Sequence, residues 1–184
     1  MRSKCSAARV LRLSSALWLL ILTLSGCRGR ARAPQSVAPH HLYRRTSAPV
    51  ISSPVAWDLD GDGVREIAVG SWDGYFYLLD AGLQDLPNWP HYSPRGFFAS
   101  PALADLQGDG RPEILVTSES GHLFAWQSDG TPVPGFPVDL GHEIWSSPVI
   151  VGGDAIAVGG LEAMHLLDFT AQPVRGWPKP MPGW

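Results

Sequence analysis

Polar and apolar positions along the chain alternate in short bursts rather than in helical stripes. From Ala102 onward the order is Ala102-Leu-Ala104, an acidic glycine-rich segment, Glu113-Ile-Leu-Val-Thr117, and a Ser-Glu-Ser-Gly turn ending at Gly121. His122-Leu-Phe-Ala-Trp126 and a Ser128-Asp129-Gly130 turn come next. Short runs rich in β-branched and aromatic residues, bounded by Asp-Gly and Ser-Gly turns, predict strands joined as hairpins. The following stretch, Val133 to Leu140, contains Pro134, Gly135 and Pro137. Proline cannot donate to a strand ladder, so this fourth strand is expected at the outer edge of its sheet. Beyond residue 26 no segment shows a sustained helical period.

The pattern repeats. Ser53-Pro54, Ser100-Pro101 and Ser147-Pro148 are each 47 positions apart, and Trp89-Pro90 and Phe136-Pro137 keep the same interval. A fixed period in the forties with four antiparallel strands per unit predicts an all-β fold, a partial β-propeller of about three four-stranded blades. The blades are expected at 52–98, 99–145 and 146–184. Strand patterns in the third unit are Ala155-Ile-Ala-Val158 and Met164-His-Leu-Leu167. Residues 42–51 stand where the later units have their fourth strand, and are expected to be strand-like.

Between the first two strands of units one and two lies an acidic loop. The first is Asp58-Leu-Asp60-Gly-Asp62-Gly-Val-Arg-Glu66 and the second Asp105-Leu-Gln107-Gly-Asp109-Gly-Arg-Pro-Glu113. Calcium takes six to eight hard oxygens in flexible geometry. The first loop offers carboxylates at loop positions 1, 3, 5 and 9, from Asp58, Asp60, Asp62 and Glu66, and the carbonyl of Val64 fits position 7. The second offers Asp105, Gln107, Asp109 and Glu113, with the carbonyl of Arg111 at position 7. Gln107 supplies a neutral oxygen where the first loop has Asp60, so weaker binding is expected there. Loop position 12 is Val69 or Val116, and the flanks read as strands, which excludes an EF-hand. The plain alternative is an Asp-Gly hairpin turn with solvated carboxylates. In the third unit Gly152-Gly153-Asp154 replaces the loop, and its ion site is expected to be lost.

Three segments carry a family resemblance: Ser53-Pro-Val-Ala-Trp-Asp-Leu-Asp-Gly-Asp-Gly-Val-Arg-Glu-Ile-Ala-Val-Gly70, its counterpart Ser100 to Val116, and Gly121 to Pro137. They resemble the FG-GAP/VCBS-type propeller repeats, related to the integrin α-subunit head. The resemblance covers roughly Val50 to the C-terminus. It implies calcium in the acidic loops, with Asp the usual ninth-position ligand where this chain has Glu66 and Glu113. It also implies rings of about six to eight blades. Three blades do not close a ring, so the unit is expected to be part of a larger or oligomeric one. Either the chain is a piece of a longer reading frame or two copies combine.

The N-terminus changes the compartment. Arg2, Lys4, Arg9 and Arg12 precede an apolar stretch, Leu13 to Leu24, followed by Leu24-Ser25-Gly26-Cys27. This describes a secretory signal (1–26) rather than a membrane span, and the last four residues resemble a bacterial lipobox. Cys27 is then the expected lipidation site and residues 27–45 a tether. With Cys5 removed, no intramolecular disulfide remains possible. Arg28 after the cysteine implies outer-membrane sorting in envelopes like the enterobacterial one. The expected location is thus the bacterial cell envelope, lipid-anchored at the outer membrane or cell surface. From residue 46 onward there are 17 acidic and 5 basic residues, a net charge of −12. Such a body argues against nucleic acid as a partner.

No Gly-x-Ser-x-Gly, His-Glu-x-x-His or phosphate loop is present, and the six histidines are scattered. His122 and His165 fall in strand patterns, as structural residues. Of the eight tryptophans, most are expected in inter-blade packing, with an aromatic rim for sugar or protein contact as the sharper alternative. The expected function is a non-enzymatic, calcium-stabilised module on a lipid anchor, binding a protein or glycan at the cell surface and open to homo-oligomer formation. The alternative is a fragment of a propeller-fold enzyme, a glycan hydrolase or lyase or a quinone-dependent dehydrogenase.

Overall fold

The computed structural model describes residues 42–181. The signal segment, Cys27 and the greater part of the tether lie outside them. The described residues form twelve strands: β1 (Val55–Trp57), β2 (Glu66–Gly70), β3 (Tyr75–Leu79), β4 (His91–Tyr92), β5 (Ala102–Ala104), β6 (Glu113–Thr117), β7 (His122–Trp126), β8 (Val138–Asp139), β9 (Val149–Val151), β10 (Ala155–Gly159), β11 (Ala163–Asp168) and β12 (Lys179–Pro180). They make three four-stranded sheets, β1–β4, β5–β8 and β9–β12, every neighbour antiparallel. The register repeats with the sequence: Val55 faces Ala68 in the first sheet and Ala102 faces Leu115 in the second.

The outer strands β4, β8 and β12 are two residues each. A cis X-Pro bond precedes each of them, at Trp89-Pro90, Phe136-Pro137 and Trp177-Pro178. Proline without an N–H is tolerated there because an edge strand has no further neighbour to donate to.

Burial of the second strands explains how the sheets stack. Successive strand residues point to opposite faces. In β6 all five residues are buried; in β2 and β10 only alternate ones are fully so. Ile114 and Val116 belong to an apolar cluster with Phe76, Leu78, Trp89 and Phe97 of the first unit. Leu115 points the other way, into a cluster with Ile144, Ile156, Val158 and Leu167. The middle sheet is therefore core on both faces, and this is why its strand reads as an uninterrupted apolar run. Ala68 and Ile156 each cover one face of the middle sheet.

The Ser-Pro landmarks stitch the sheets together. The amide of Ser53 donates to Oγ of Ser100, and the amide of Ser100 to Oγ of Ser147, both at 2.9 Å. One serine per unit thus satisfies a backbone N–H of the preceding unit, and the 47-residue echo is the trace of this ladder. The preceding serines bind within their own sheets, Ser52 Oγ to the Gly70 carbonyl and Ser146 Oγ to that of Gly159.

Residues 42–51 form no strand, contrary to expectation. Each sheet already has its own outer strand, so the fourth-strand position this segment was expected to fill is taken. It lies against the first sheet instead. Arg44 pairs with Asp85 at 2.7 Å and sits over the Tyr77 ring, the Ser47 amide donates to Asp73, and the Trp72 amide donates to the Pro49 carbonyl. The last residues of the expected tether are thereby tied to the first sheet.

Candidate metal centre

The loop joining β1 to β2 is organised by its own carboxylates. Asp58 accepts from the Gly61 amide through one oxygen, at 2.7 Å, and from the Gly63 amide through the other, at 3.0 Å. Asp60 accepts from the Asp62 amide, and Asp62 from the Val64 amide. Aspartate side chains that bond to the backbone two or more residues ahead fold a segment back upon itself. Gly61 and Gly63 have φ of 83° and 88°, a region where a Cβ is strained. At the end of the loop Glu66 is buried, and its Oε2 accepts from the Leu59 amide at 2.7 Å. Tying residue 66 to residue 59 closes the loop across the two strands.

This folding brings three carboxylates together. One oxygen each from Asp58, Asp60 and Glu66 lies within 4.8 Å of the others. Asp62 stands outside this group, capping the exposed Val64 amide. An all-oxygen donor set on a loop that glycines let curl suits a hard cation such as calcium, not a metal that prefers imidazole or thiolate. The residues present fit such an ion.

The second loop has the same backbone plan and a different centre. Asp105 accepts from the Asp109 and Gly110 amides, Asp109 from the Arg111 amide, and buried Glu113 from the Leu106 amide at 2.6 Å. Among the described residues, however, Asp58, Asp60 and Glu66 are the one group of three acidic or imidazole side chains that converges on an ion position. Asp105, Asp109 and Glu113 do not. Gln107 turns its amide nitrogen to Oε1 of Glu113, at 3.0 Å. In the third unit the loop is reduced to a tight turn at Gly152-Gly153-Asp154, as expected from its length.

Two further clusters are assembled by the tertiary structure. An open groove of about 630 Å³ is lined by Ile51, Trp72, Phe98, Glu119 and Trp145. Trp72 meets Phe98 edge-on, with ring centroids 4.8 Å apart, and Phe98 stacks near Trp145 at 6.4 Å. Arg95 binds Glu119 at 2.9 Å and Glu143 at 2.6 Å beside them. The signal was present: Ile51, Phe98 and Trp145 are 47 residues apart. By contrast Trp89 and Trp126 are buried between the first two sheets.

The second cluster joins His142, in the connection after β8, to His165 in β11, their Nε2 atoms 2.9 Å apart. Burial, and then the nearby His142, lower the pKa of His165, and burial lowers that of His91, which stacks on Trp126. A histidine whose folded pKa is depressed leaves the unfolded chain binding protons first. Stability is therefore expected to hold above the ordinary histidine value of about 6.5 and to fall as pH drops through it. Melting temperatures at pH 7.5 and 5.5 check this: a drop on acidification that shrinks in His165→Gln supports it, and a pH-independent melt refutes it.

The FG-GAP-like repeat family matches residues 58–116, which span both acidic loops and the connection between them. Among solved structures, BamB from Moraxella catarrhalis is similar with a TM-score of 0.50 and 20% identity, covering 74% of this chain and 38% of that one. BBS1N in complex with ARL6DN gives a TM-score of 0.49 and 19% identity over 76% of this chain and 43% of that one. The chain thus spans well under half the length of these structures. No curated protein sequence matches it.

Proposed function

We propose, from a chain that carries an FG-GAP-like repeat at residues 58–116 and folds as β-propeller blades, that it is a non-enzymatic binding module stabilised by calcium. The observation that carries the reading is the convergence of Asp58, Asp60 and Glu66 within 4.8 Å on the loop that joins β1 to β2. An ion there links two strands of one sheet and relieves the repulsion of three neighbouring carboxylates. It acts on stability and performs no chemistry. The binding surface is proposed to be the groove of Trp72, Phe98 and Trp145, where the exposed Trp72 and Trp145 rings flank a half-buried Phe98 and suit a protein or glycan ligand. The proposed setting is the bacterial cell envelope, with the module held by lipid on Cys27 and open to association with a second copy.

A ligand that binds the folded state alone stabilises it by mass action, by about 2.7 kcal/mol at one hundred times its Kd. For a domain of this size that is a rise in Tm of several degrees. Thermal melts of the chain in calcium and in excess chelator are expected to differ by this amount, and Asp58→Asn to erase the difference. Equal melting in both conditions sinks the proposal.

A further inference from the structure

The two acidic loops invite treatment as a pair of equivalent ion sites. They share an aspartate at the first and fifth positions, two glycines and a glutamate at the ninth, and at the other side-chain ligand position Asp60 stands opposite Gln107. Their backbones also agree. In each, the buried glutamate accepts an amide seven residues upstream through Oε2, Leu59 at 2.7 Å and Leu106 at 2.6 Å. In each, the first aspartate holds two backbone amides of the turn.

What separates them is the partner of the glutamate's second oxygen. In the first loop Glu66 joins Asp58 and Asp60 in a group of three carboxylates. Like charges that close favour a bound cation. In the second loop Gln107 Nε2 donates to Glu113 Oε1 at 3.0 Å, so both oxygens of this carboxylate, 2% exposed, are satisfied by the chain itself. Turning the Gln107 amide over would set its carbonyl against the Glu113 oxygen, two acceptors face to face, unless an ion stood between them. The N–H orientation needs no ion. Asp105 and Asp109 hold turn amides just as Asp58 and Asp62 do, so the difference between the loops lies at Gln107 against Asp60.

We infer that the second loop is a cation-independent copy of the first: the Gln107–Glu113 hydrogen bond stands where the ion would, and the described blades take one calcium, at Asp58, Asp60 and Glu66, not two. The inference rests on the proposed calcium reading of the first loop for its count, and on Gln107 alone for the second loop. It divides the blades by condition. When calcium is lost, the second loop keeps both bonds of its glutamate, to Leu106 and Gln107, and the first keeps only the bond from Leu59 to Glu66.

Isothermal titration of the full chain with calcium chloride tests this, with terbium luminescence sensitised by Trp57, next to Asp58, as a second readout of the first loop. The wild type is expected to take one equivalent, Asp58→Asn none, and Gln107→Asp two. Two equivalents in the wild type overturn the inference, as does a Gln107→Asp variant that gains no site. If the wild type takes none and Gln107→Asp takes one, the calcium reading of the first loop fails and the inference about the second stands. A second variant covers poor folding of the first. Gln107→Leu removes the N–H donor and is expected to lower Tm by the same amount in calcium and in chelator. A loss confined to calcium means that Gln107 was a ligand, and the inference falls.

Discussion

Replacing Phe76 with alanine is expected to cost about 3–5 kcal/mol, the usual range for truncating a buried aromatic. Phe76 is fully buried at the junction of the first two sheets. Its ring lies 5.4 Å from that of Phe97, 5.8 Å from Trp126 and 6.1 Å from Trp89. Trp126 belongs to β7 of the second unit and Trp89 to the first, so the ring holds one sheet against the next. These neighbours are themselves large and mutually packed, Trp89 against Trp126 at 5.6 Å. They cannot collapse into the space that Phe76 leaves without breaking their own contacts, which keeps the cavity penalty high. Urea unfolding followed by tryptophan fluorescence measures the loss directly. A cost below about 1 kcal/mol would mean that the cluster repacks, far from the rigid junction described above.

The second large effect is expected at Glu113. Its side chain is buried, and it accepts from the Leu106 amide at 2.6 Å and from Gln107 at 3.0 Å. Glu113→Ala deletes both bonds and leaves the donors of the loop without their acceptor. An unsatisfied donor costs about 1–3 kcal/mol, and bonds to charged groups are the stronger kind, so a loss of about 2–3 kcal/mol is expected. Glu113 also begins β6, the strand with all five residues buried, so the loss is transmitted to the centre of the module. The size of the effect should be the same with calcium and with chelator, whereas Glu66→Ala should lose most where calcium is present. Denaturant midpoints for the two variants in the two conditions make the comparison. A Glu113→Ala protein as stable as the wild type would show that Leu106 and Gln107 find other partners.

Much of the architecture was legible because it is local. A strand of three to five residues and its turn are specified by neighbours: Gly121 with φ of 87° after Ser120, the Asp129 carboxylate accepting the Thr131 amide, the prolines at the outer edge. Repetition then multiplied the signal, since the same choices recur 47 residues later. The loop carboxylates were equally readable as candidates, and the structure draws Asp58, Asp60 and Glu66 together out of the expected five. Asp62 stays outside that group and holds the Val64 amide. Gln107 carries a carbonyl oxygen and an amide nitrogen, and nothing in its neighbours states which of the two meets Glu113. The segment 42–51 misled because a position in the repeat was read as a strand, when a strand also needs an unpaired partner.

The sequence by itself determined the all-β class, the four-strand unit, its period and the place of the acidic loops, since each depends on residues within a few positions of one another. Only the tertiary structure decided which faces are core, why the middle sheet is buried on both sides, and which carboxylates share a centre. It alone placed His142 against His165 and assembled Ile51, Phe98 and Trp145 into one groove. Those arrangements rest on distances between segments twenty or more residues apart. Such distances are set by how three twisted sheets stack through Phe76, Ile114 and Leu115, and no local pattern encodes them.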